Sequence, residues 1–324
     1  MTSAKAGSRP PVIVVYGPTA GGKSALALSL AERLDGVVIN ADALQVYAEL
    51  RILTARPGSE DEARVPHRLY GVLSAATAGS AAWWRAAALA EIAAVHQAGK
   101  RAILAGGTGL YINSLIDGLS PVPPADAAAR AKATTLYAAL GGDAFRAELT
   151  RRDPEAAARL KSGDRQRLIR AWEVAEATGR PLSDWQKLPR EPGHDLDFRL
   201  IGLMPSREEL YGRIDRRFEA MLAAGALEEA RAFDALGLEA SLPANKALGL
   251  PELRRHLAGE ISLEEATRAA QQASRNYAKR QMTWFRGQLP GNREALALHG
   301  SDAKTGEHSE SFFSEIIPFI LRAG

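Results

Sequence analysis

Gly17-Pro18-Thr19-Ala20-Gly21-Gly22-Lys23-Ser24 satisfies G-x-x-x-x-G-K-[ST], the pattern of a loop that cradles phosphates. Its glycines let backbone N–H groups converge on an anionic oxygen cluster, and the start of the following helix adds a dipole that favours negative charge. Lys23 can neutralise that charge, and the Ser24 hydroxyl can ligate Mg²⁺. The pattern names a diphosphate or triphosphate site without distinguishing ATP from another diphosphate. A second candidate is Asp42, within Asn40-Ala41-Asp42-Ala43-Leu44-Gln45. Beside the cradle it would serve as a base or as a metal-side carboxylate; the other reading is a helix cap, a position that favours Asp. The third is Gly106-Gly107-Thr108-Gly109, which presents a hydroxyl and no aspartate. Enzymes that transfer a γ-phosphoryl hold their Mg²⁺ with acidic side chains, so Thr108 argues against that chemistry.

These residues need a scaffold that brings three loops together. Val12-Ile13-Val14-Val15 is a β-branched run suited to a strand buried on both faces. A helix from Ala25 to Leu34, a break at Gly36 and a second buried run, Val37-Val38-Ile39, complete a β-α-β unit. A helix over Ala81 to Gln97 leads to a third strand, Arg101 to Ala105, which runs straight into Gly106. The pattern predicts an α/β fold: a P-loop NTPase-like parallel sheet with helices on both faces and ligands at the carboxyl ends of its strands. After Ser120-Pro121-Val122-Pro123-Pro124 only helical periodicity appears up to Trp185, and a strand returns at Phe198 to Leu203. The expected organisation is therefore a core over 1–124 and 196–324, interrupted by an all-helical insertion domain over 125–195. Helices are expected at Glu208 to Leu222, Glu228 to Leu236 and Leu263 to Arg286, with Ile316 to Ile320 packing back on the core.

Two segments are rich in basic residues. In Asp164-Arg165-Gln166-Arg167-Leu168-Ile169-Arg170-Ala171-Trp172, Leu168 and Trp172 lie at i, i+4 facing inward, while Gln166 and Arg170 share another face. A solvated charged face explains this pattern as well as a binding face does. From Arg268 through Gln272, Arg275, Lys279 and Met282 to Arg286, spacings of four and three make one stripe, with no acidic residue between Ala266 and Arg293. A polyphosphate backbone would suit that seam, and so would an acidic element of the chain itself. Arg213 and Arg217, at i, i+4, either point at the phosphate mouth or pair with Asp215 and Glu219.

Together with Ala41 to Tyr47, Gly106-Gly107-Thr108-Gly109-Leu110-Tyr111, Gln166 to Ala171, and Tyr277-Ala278-Lys279-Arg280-Gln281-Met282-Thr283-Trp284-Phe285-Arg286, the phosphate loop closely resembles the tRNA dimethylallyltransferases, also called tRNA isopentenyltransferases. The resemblance implies that the cradle, Gly17 to Ser24 with Arg217, holds the diphosphate of dimethylallyl diphosphate, and that the prenyl group moves to N6 of adenine 37 of tRNA with help from Mg²⁺. Asp42 would accept the N6 proton, with Thr108 and Lys23 as its catalytic companions and Ser24 on the metal. The tRNA side implied by the resemblance comprises Asp42, Ala43, Leu44, Gln45, Thr108, Arg130, Gln166, Arg167, Leu168, Ile169, Arg170, Arg275, Lys279, Arg280 and Arg286. Gly21, Asn40, Ala43 and Ser274 depart mildly from the family pattern. Pro66 to Gly71 lacks its usual aspartate, and Ala247 to Glu252 lacks its usual Tyr-Lys.

Composition narrows the alternatives. The 324 residues are 46% hydrophobic and 24% charged, which suits a packed globular chain and excludes disorder as its main state. Zero cysteines exclude disulfides, Cys-ligated zinc and a thiol nucleophile. No apolar run is long enough to span a bilayer and Met1 to Pro10 lacks a secretory signal, so a cytoplasmic, membrane-free monomer is expected. Of 41 basic residues nine are lysine and the other 32 arginine, against 38 acidic residues, for a net charge of +3. Codon bias accounts for such an excess as readily as phosphate binding does, so position must decide. The rival functions are an adenylate isopentenyltransferase acting on free AMP, a P-loop nucleotide kinase using ATP, and a non-enzymatic RNA-binding protein on a P-loop scaffold.

Overall fold

The computed structural model describes residues 10–124, 126–190, 192–289, 295–299 and 310–322. Six parallel strands form one sheet: β1 (Val12–Tyr16), β2 (Gly36–Asn40), β3 (His67–Arg68), β4 (Arg101–Gly106), β5 (Phe198–Met204) and β6 (Ala295–His299), in the order β3-β2-β4-β1-β5-β6. The β-branched runs occupy the centre, and every residue of β1 and β2 is buried. Alternate residues feed opposite layers. Val12, Val14 and Tyr16 join the core on one face, and Ile13 and Val15 join the core on the other.

Helices cover both faces: α1 (Lys23–Leu34), α2 (Ser59–Arg64), α3 (Ala81–Gln97) and α4 (Gly109–Asp117) between the first strands, and α9 (Arg207–Ala223), α10 (Ala226–Asp234), α11 (Leu250–Leu257), α12 (Leu263–Gln288) and α13 (Glu310–Leu321) after β5. Trp84 and Ile92 of α3 and Phe285 of α12 pack on one face; Leu26 and Leu30 of α1 and Phe313, Ile316, Phe319 and Ile320 of α13 pack on the other. The apolar run at Ile316 thus does return to the core. Two strands went unread in the sequence. The two residues of β3 are too few to show a period, and the alanine-rich β6 resembles a helix as much as a strand.

Register decides where chemistry can occur. Tyr16 lies opposite Gly106 and Asn40 opposite Ala105, so the loops that follow β1, β2 and β4 leave the same edge side by side. Connections from β1 and β4 diverge to opposite sides of the sheet, and the crevice between two such neighbours is where ligands bind in open α/β sheets.

Residues Asp117–Gly193 form a second compact unit. It holds α5 (Ala127–Thr150), α6 (Pro154–Arg159), α7 (Arg165–Thr178) and α8 (Leu182–Lys187), with no strand among its described residues. Phe145, Leu149, Leu168, Trp172 and Leu182 build its own core. Asp126, Asp153 and Asp164 cap α5, α6 and α7 by accepting from the N–H groups of Ala129, Ala156 and Arg167. Gly141, at φ +74°, breaks α5 into two segments. The unit begins earlier than position 125 because Val122 already packs on its core and the Pro123 carbonyl accepts from Arg170.

Candidate active site

The phosphate loop turns tightly before α1. Ala20 sits in the left-handed region at φ +59°, uncommon for a side chain with a Cβ, and Gly22 enters α1 at φ +92°. Backbone held this way at a strand-to-helix junction is typical of ligand sites. Lys23 and Ser24 form the first turn of the helix, and together with Asp42, Gln45, Arg213 and Arg217 they line a cavity of about 340 Å³. Thr19 to Ser24 and Arg217 of the expected phosphate site therefore share one cavity, while Gly17 and Pro18 lie behind its lining.

Its electrostatics suit an anion. Lys23 Nζ donates to the Pro18 carbonyl at 2.7 Å, and burial pulls the ammonium pKa down to about 8, with nearby Arg217 adding to the fall and Asp42 opposing it. Arg217 donates to Thr19 Oγ1, and its own pKa is lowered by burial against the pull of Asp42. Two buried cations, Lys23 and Arg217, thus face one carboxylate, Asp42. Asp215, the alternative partner for Arg213 and Arg217, instead pairs with Arg275.

Asp42 follows β2 in a turn braced by its own side chain: Oδ1 accepts from the Leu44 N–H at 2.9 Å. The carboxylate thus braces its own turn, with no helix following for it to cap, and lines the cavity as well. Thr108 Oγ1 accepts from the Ala43 N–H at 2.9 Å, tying the third loop to the second, and the Tyr277 hydroxyl bonds the same threonine. Gln45 Nε2 donates to the carbonyls of Thr54 and Ala55, both at 2.9 Å. Burial, with the Asp42 charge nearby, raises the pKa of Tyr70, Tyr111 and Tyr277, so these phenols stay protonated around it.

Among the described residues no cluster of three or more His, Cys, Asp or Glu could hold a metal by itself. The donors that line the cavity, the Ser24 hydroxyl and the Asp42 carboxylate, fit Mg²⁺ well, since that ion keeps several waters and shares substrate phosphates with one or two protein oxygens.

Beyond Asp42 to Gln45 and Thr108 on the loops, the residues expected on the tRNA side lie on helices and differ in exposure. Gln166 and Arg167 are exposed on α7, and Lys279, Arg280 and Arg286 are exposed on α12. The side chains of Leu168 and Ile169 lie in the core of the helical unit, so they hold α7 in place and are not presented at its surface. Arg130 and Arg170 both bind the fully buried Glu173, which fixes their guanidinium groups. On α12 the stripe is less uniform than its spacing suggests, because Arg268 pairs with Glu264 and Arg275 with Asp215. An acidic element of the chain therefore does balance the first half of the seam.

Sequence reasoning passed over Gln281. Its side chain is buried; Oε1 accepts from the Thr19 N–H at 2.8 Å and Nε2 donates to the Gly107 carbonyl at 2.9 Å, joining the first and third loops through α12. The glycines of the third loop answer to this helix. A Cβ at Gly107 would come within 2.3 Å of Gln281, and one at Gly109 within 2.1 Å of the Trp284 ring. A polar residue on the inward face of α12, in line with Ser274 and Ala278, was the available signal. Glu229 of α10 was passed over too: it accepts from the N–H groups of Arg51, Ile52 and Leu53, each at 2.8 Å, and so anchors the segment that meets Gln45.

Comparison with known proteins agrees with this architecture. Residues 45–288 match the model of the IPP transferase family. A tRNA dimethylallyltransferase of Rhodospirillum centenum is 56% identical over 87% of this chain and 90% of its own length. One from Parvibaculum lavamentivorans is 49% identical over 95% of each. Among solved structures, the tRNA isopentenylpyrophosphate transferase of Bacillus halodurans superposes with a TM-score of 0.68 at 31% identity, covering 97% of this chain and 96% of that one. A eukaryotic dimethylallyltransferase acting on tRNA shares the fold at a TM-score of 0.77 and 24% identity, covering 96% of this chain and 79% of that one.

Proposed function

The chain belongs to the IPP transferase family, and from that premise we propose how its cavity works. It is a tRNA dimethylallyltransferase: it moves a dimethylallyl group from dimethylallyl diphosphate to N6 of the adenine at tRNA position 37, beside the anticodon, and releases diphosphate. The N6 lone pair forms a bond to the prenyl carbon, the carbon–oxygen bond breaks, the diphosphate leaves with that electron pair, and the N6 proton passes to Asp42.

The observation that carries this reading is the single cavity lined by Lys23, Ser24, Asp42 and Arg217. A diphosphate leaves more easily when fixed positive charge meets the charge it develops, and here Lys23, Arg213, Arg217 and the amides of the phosphate loop supply it. Bound Mg²⁺, held by Ser24 and the diphosphate oxygens, would supply further charge neutralisation. An exocyclic amine is a weak nucleophile, and a carboxylate within reach of its proton accelerates attack by about 10²- to 10⁴-fold. Asp42 takes that role, and Thr108 steadies the loop beside it. The exposed Gln166 and Arg167 of the helical unit and Lys279, Arg280 and Arg286 of α12 grip the anticodon arm, since an adenine must leave its stack to reach a recessed site. The enzyme works as a cytoplasmic monomer.

Incubating the protein with labelled dimethylallyl diphosphate and either unmodified tRNA or AMP tests the assignment. Label is expected in tRNA alone. Label in AMP alone, or γ-phosphoryl transfer from ATP, would replace this reading with one of its rivals.

A further inference from the structure

Asp42 is a useful base only if its turn cannot drift; the residues around it are tied by the Leu44 and Ala43 N–H bonds and by main-chain bonds, while the N–H and carbonyl of Asp42 itself are left to a side chain. Asn40, the last residue of β2, supplies the rest. Its side chain is 0% exposed. Oδ1 accepts from the Asp42 N–H at 2.8 Å, while Nδ2 donates to the Asp42 carbonyl and to the Leu69 carbonyl, each at 3.0 Å. One amide thus brackets Asp42 on both sides of its Cα, using both of its N–H donors and its carbonyl oxygen. Asn40 is itself clamped, because its main-chain carbonyl accepts from Trp84 Nε1 at 2.8 Å and Trp84 stacks on Tyr111 at 4.5 Å. Its Nδ2 also reaches Leu69, a non-glycine residue held at φ +62° on the segment that follows β3. Asp42 Oδ2, meanwhile, has no hydrogen-bond partner among the described residues, although Oδ1 is engaged.

We propose that Asn40 is a positioning residue for the reaction: it clamps the main chain of Asp42 and of Leu69 so that the carboxylate meets the acceptor amine in a fixed pose. The inference rests on the reading of Asp42 as the base. Its logic is geometric, since displacing a reacting group by about 1 Å can lower a rate by about 10²-fold even when substrates still bind. A residue acting only through Asp42 should also become irrelevant once Asp42 is gone.

The experiment compares Asn40→Ala, Asn40→Asp, Asp42→Ala and the Asn40→Ala/Asp42→Ala double variant in prenyl transfer from dimethylallyl diphosphate to unmodified tRNA, with tRNA affinity and thermal unfolding measured alongside. Asn40→Ala is expected to lower kcat by about 10- to 100-fold while the KM for the prenyl donor and the Kd for tRNA stay within about threefold. The double variant is expected to be no slower than Asp42→Ala. Asn40→Asp keeps the size of the side chain and the acceptor for the Asp42 N–H but removes both donations to the Asp42 and Leu69 carbonyls; it is the second probe should the alanine variant not accumulate, and its kcat is expected to fall by about tenfold or more. A slow Asp42→Ala combined with an Asn40→Asp at the wild-type rate overturns the role of Asn40 alone, as does a double variant that loses the same factor again. An Asp42→Ala at the wild-type rate instead overturns the base reading on which this inference stands.

Discussion

Lys23 should make the free enzyme less stable than a variant that lacks its charge. The perturbation is Lys23→Met, which keeps the length of the side chain and removes the ammonium. Burial lowers the Lys23 pKa from 10.5 to about 8 in the folded chain. At about 1.36 kcal/mol per unit that shift corresponds to roughly 3 kcal/mol favouring the neutral form. The side chain keeps some contact with solvent in the cavity, and methionine loses the bond to the Pro18 carbonyl, worth about 1 kcal/mol, so the net gain at pH 7 is about 2 kcal/mol. For a chain of this size that is a rise in Tm of about 4 °C. The sign follows from linkage. Between pH 8 and pH 10.5 the unfolded lysine binds more protons than the folded one, so this group adds stability to the wild type as pH rises through that window, and below it the unfavourable burial of charge is fully present. Thermal unfolding of both proteins from pH 6.5 to pH 10 in diphosphate-free buffer, read as the difference at each pH, isolates Lys23 from the tyrosines that also titrate. The gap should be largest near neutrality and close as the pH passes 8. Added diphosphate should reverse the order, because it stabilises the wild type by mass action and the variant much less. A Lys23→Met protein less stable than wild type at pH 7, or a gap that stays constant with pH, refutes this electrostatic account of the cradle.

Binding of inorganic diphosphate should return Lys23 to its protonated form, so calorimetry at pH 8.5 in buffers of different ionisation enthalpy should detect net proton uptake; observed enthalpies that do not vary with the buffer would contradict this. Gln281→Leu should separate the first loop from the third, leaving the Thr19 N–H and the Gly107 carbonyl unpaired, with a stability loss of about 2 kcal/mol and a drop in kcat/KM of more than about tenfold in steady-state assays. Glu229→Ala removes the acceptor for three N–H groups; the KM for the prenyl donor should rise by about tenfold or more while tRNA affinity is unchanged, and a KM at the wild-type value would detach this anchor from the cavity.

The sheet centre and the phosphate loop were legible in the sequence because both rest on local rules. A β-branched run buried on two faces and a glycine turn before a helix are read within a dozen residues, and Val12 to Leu34 follows that reading except that α1 begins at Lys23. The neighbourhood of Asp42 and Thr108 was legible at one remove, since parallel strands carry their carboxyl ends to one edge. What could not be read was which polar side chains turn inward to hold those loops. Asn40, Gln281 and Glu229 touch partners that lie up to 262 positions away, and no spacing in the sequence records such contacts. Burial errors came from the same source. The resemblance puts the whole run Gln166 to Arg170 on the tRNA side, whereas a helix of 3.6 residues per turn must send some of a continuous stretch inward; the periodicity marks Leu168, and Ile169 joins it in the core.

The arginine excess can now be weighed by position. Some of it is structural: Arg64 pairs with Glu32, Arg152 with Glu148, Arg254 with Asp234 and Arg275 with Asp215. Surface pairs of this kind contribute about 0 to 1 kcal/mol each and carry no specificity. Glu173 is a different case, a carboxylate with no solvent access that holds Arg130 and Arg170 together. Two cations around one buried anion leave a net positive charge in fixed geometry, which suits phosphate better than two mobile side chains would, because less side-chain entropy is lost on binding. On α12 the balance changes along the helix. Its first half is neutralised by Glu264 and Asp215, whereas Lys279, Arg280 and Arg286 have no ion-pair partner among the described residues. The unbalanced charge therefore gathers on the half of α12 that also supplies Gln281 to the phosphate loop and Trp284 to Gly109, so one helix presents basic groups outward and braces the reaction loops inward.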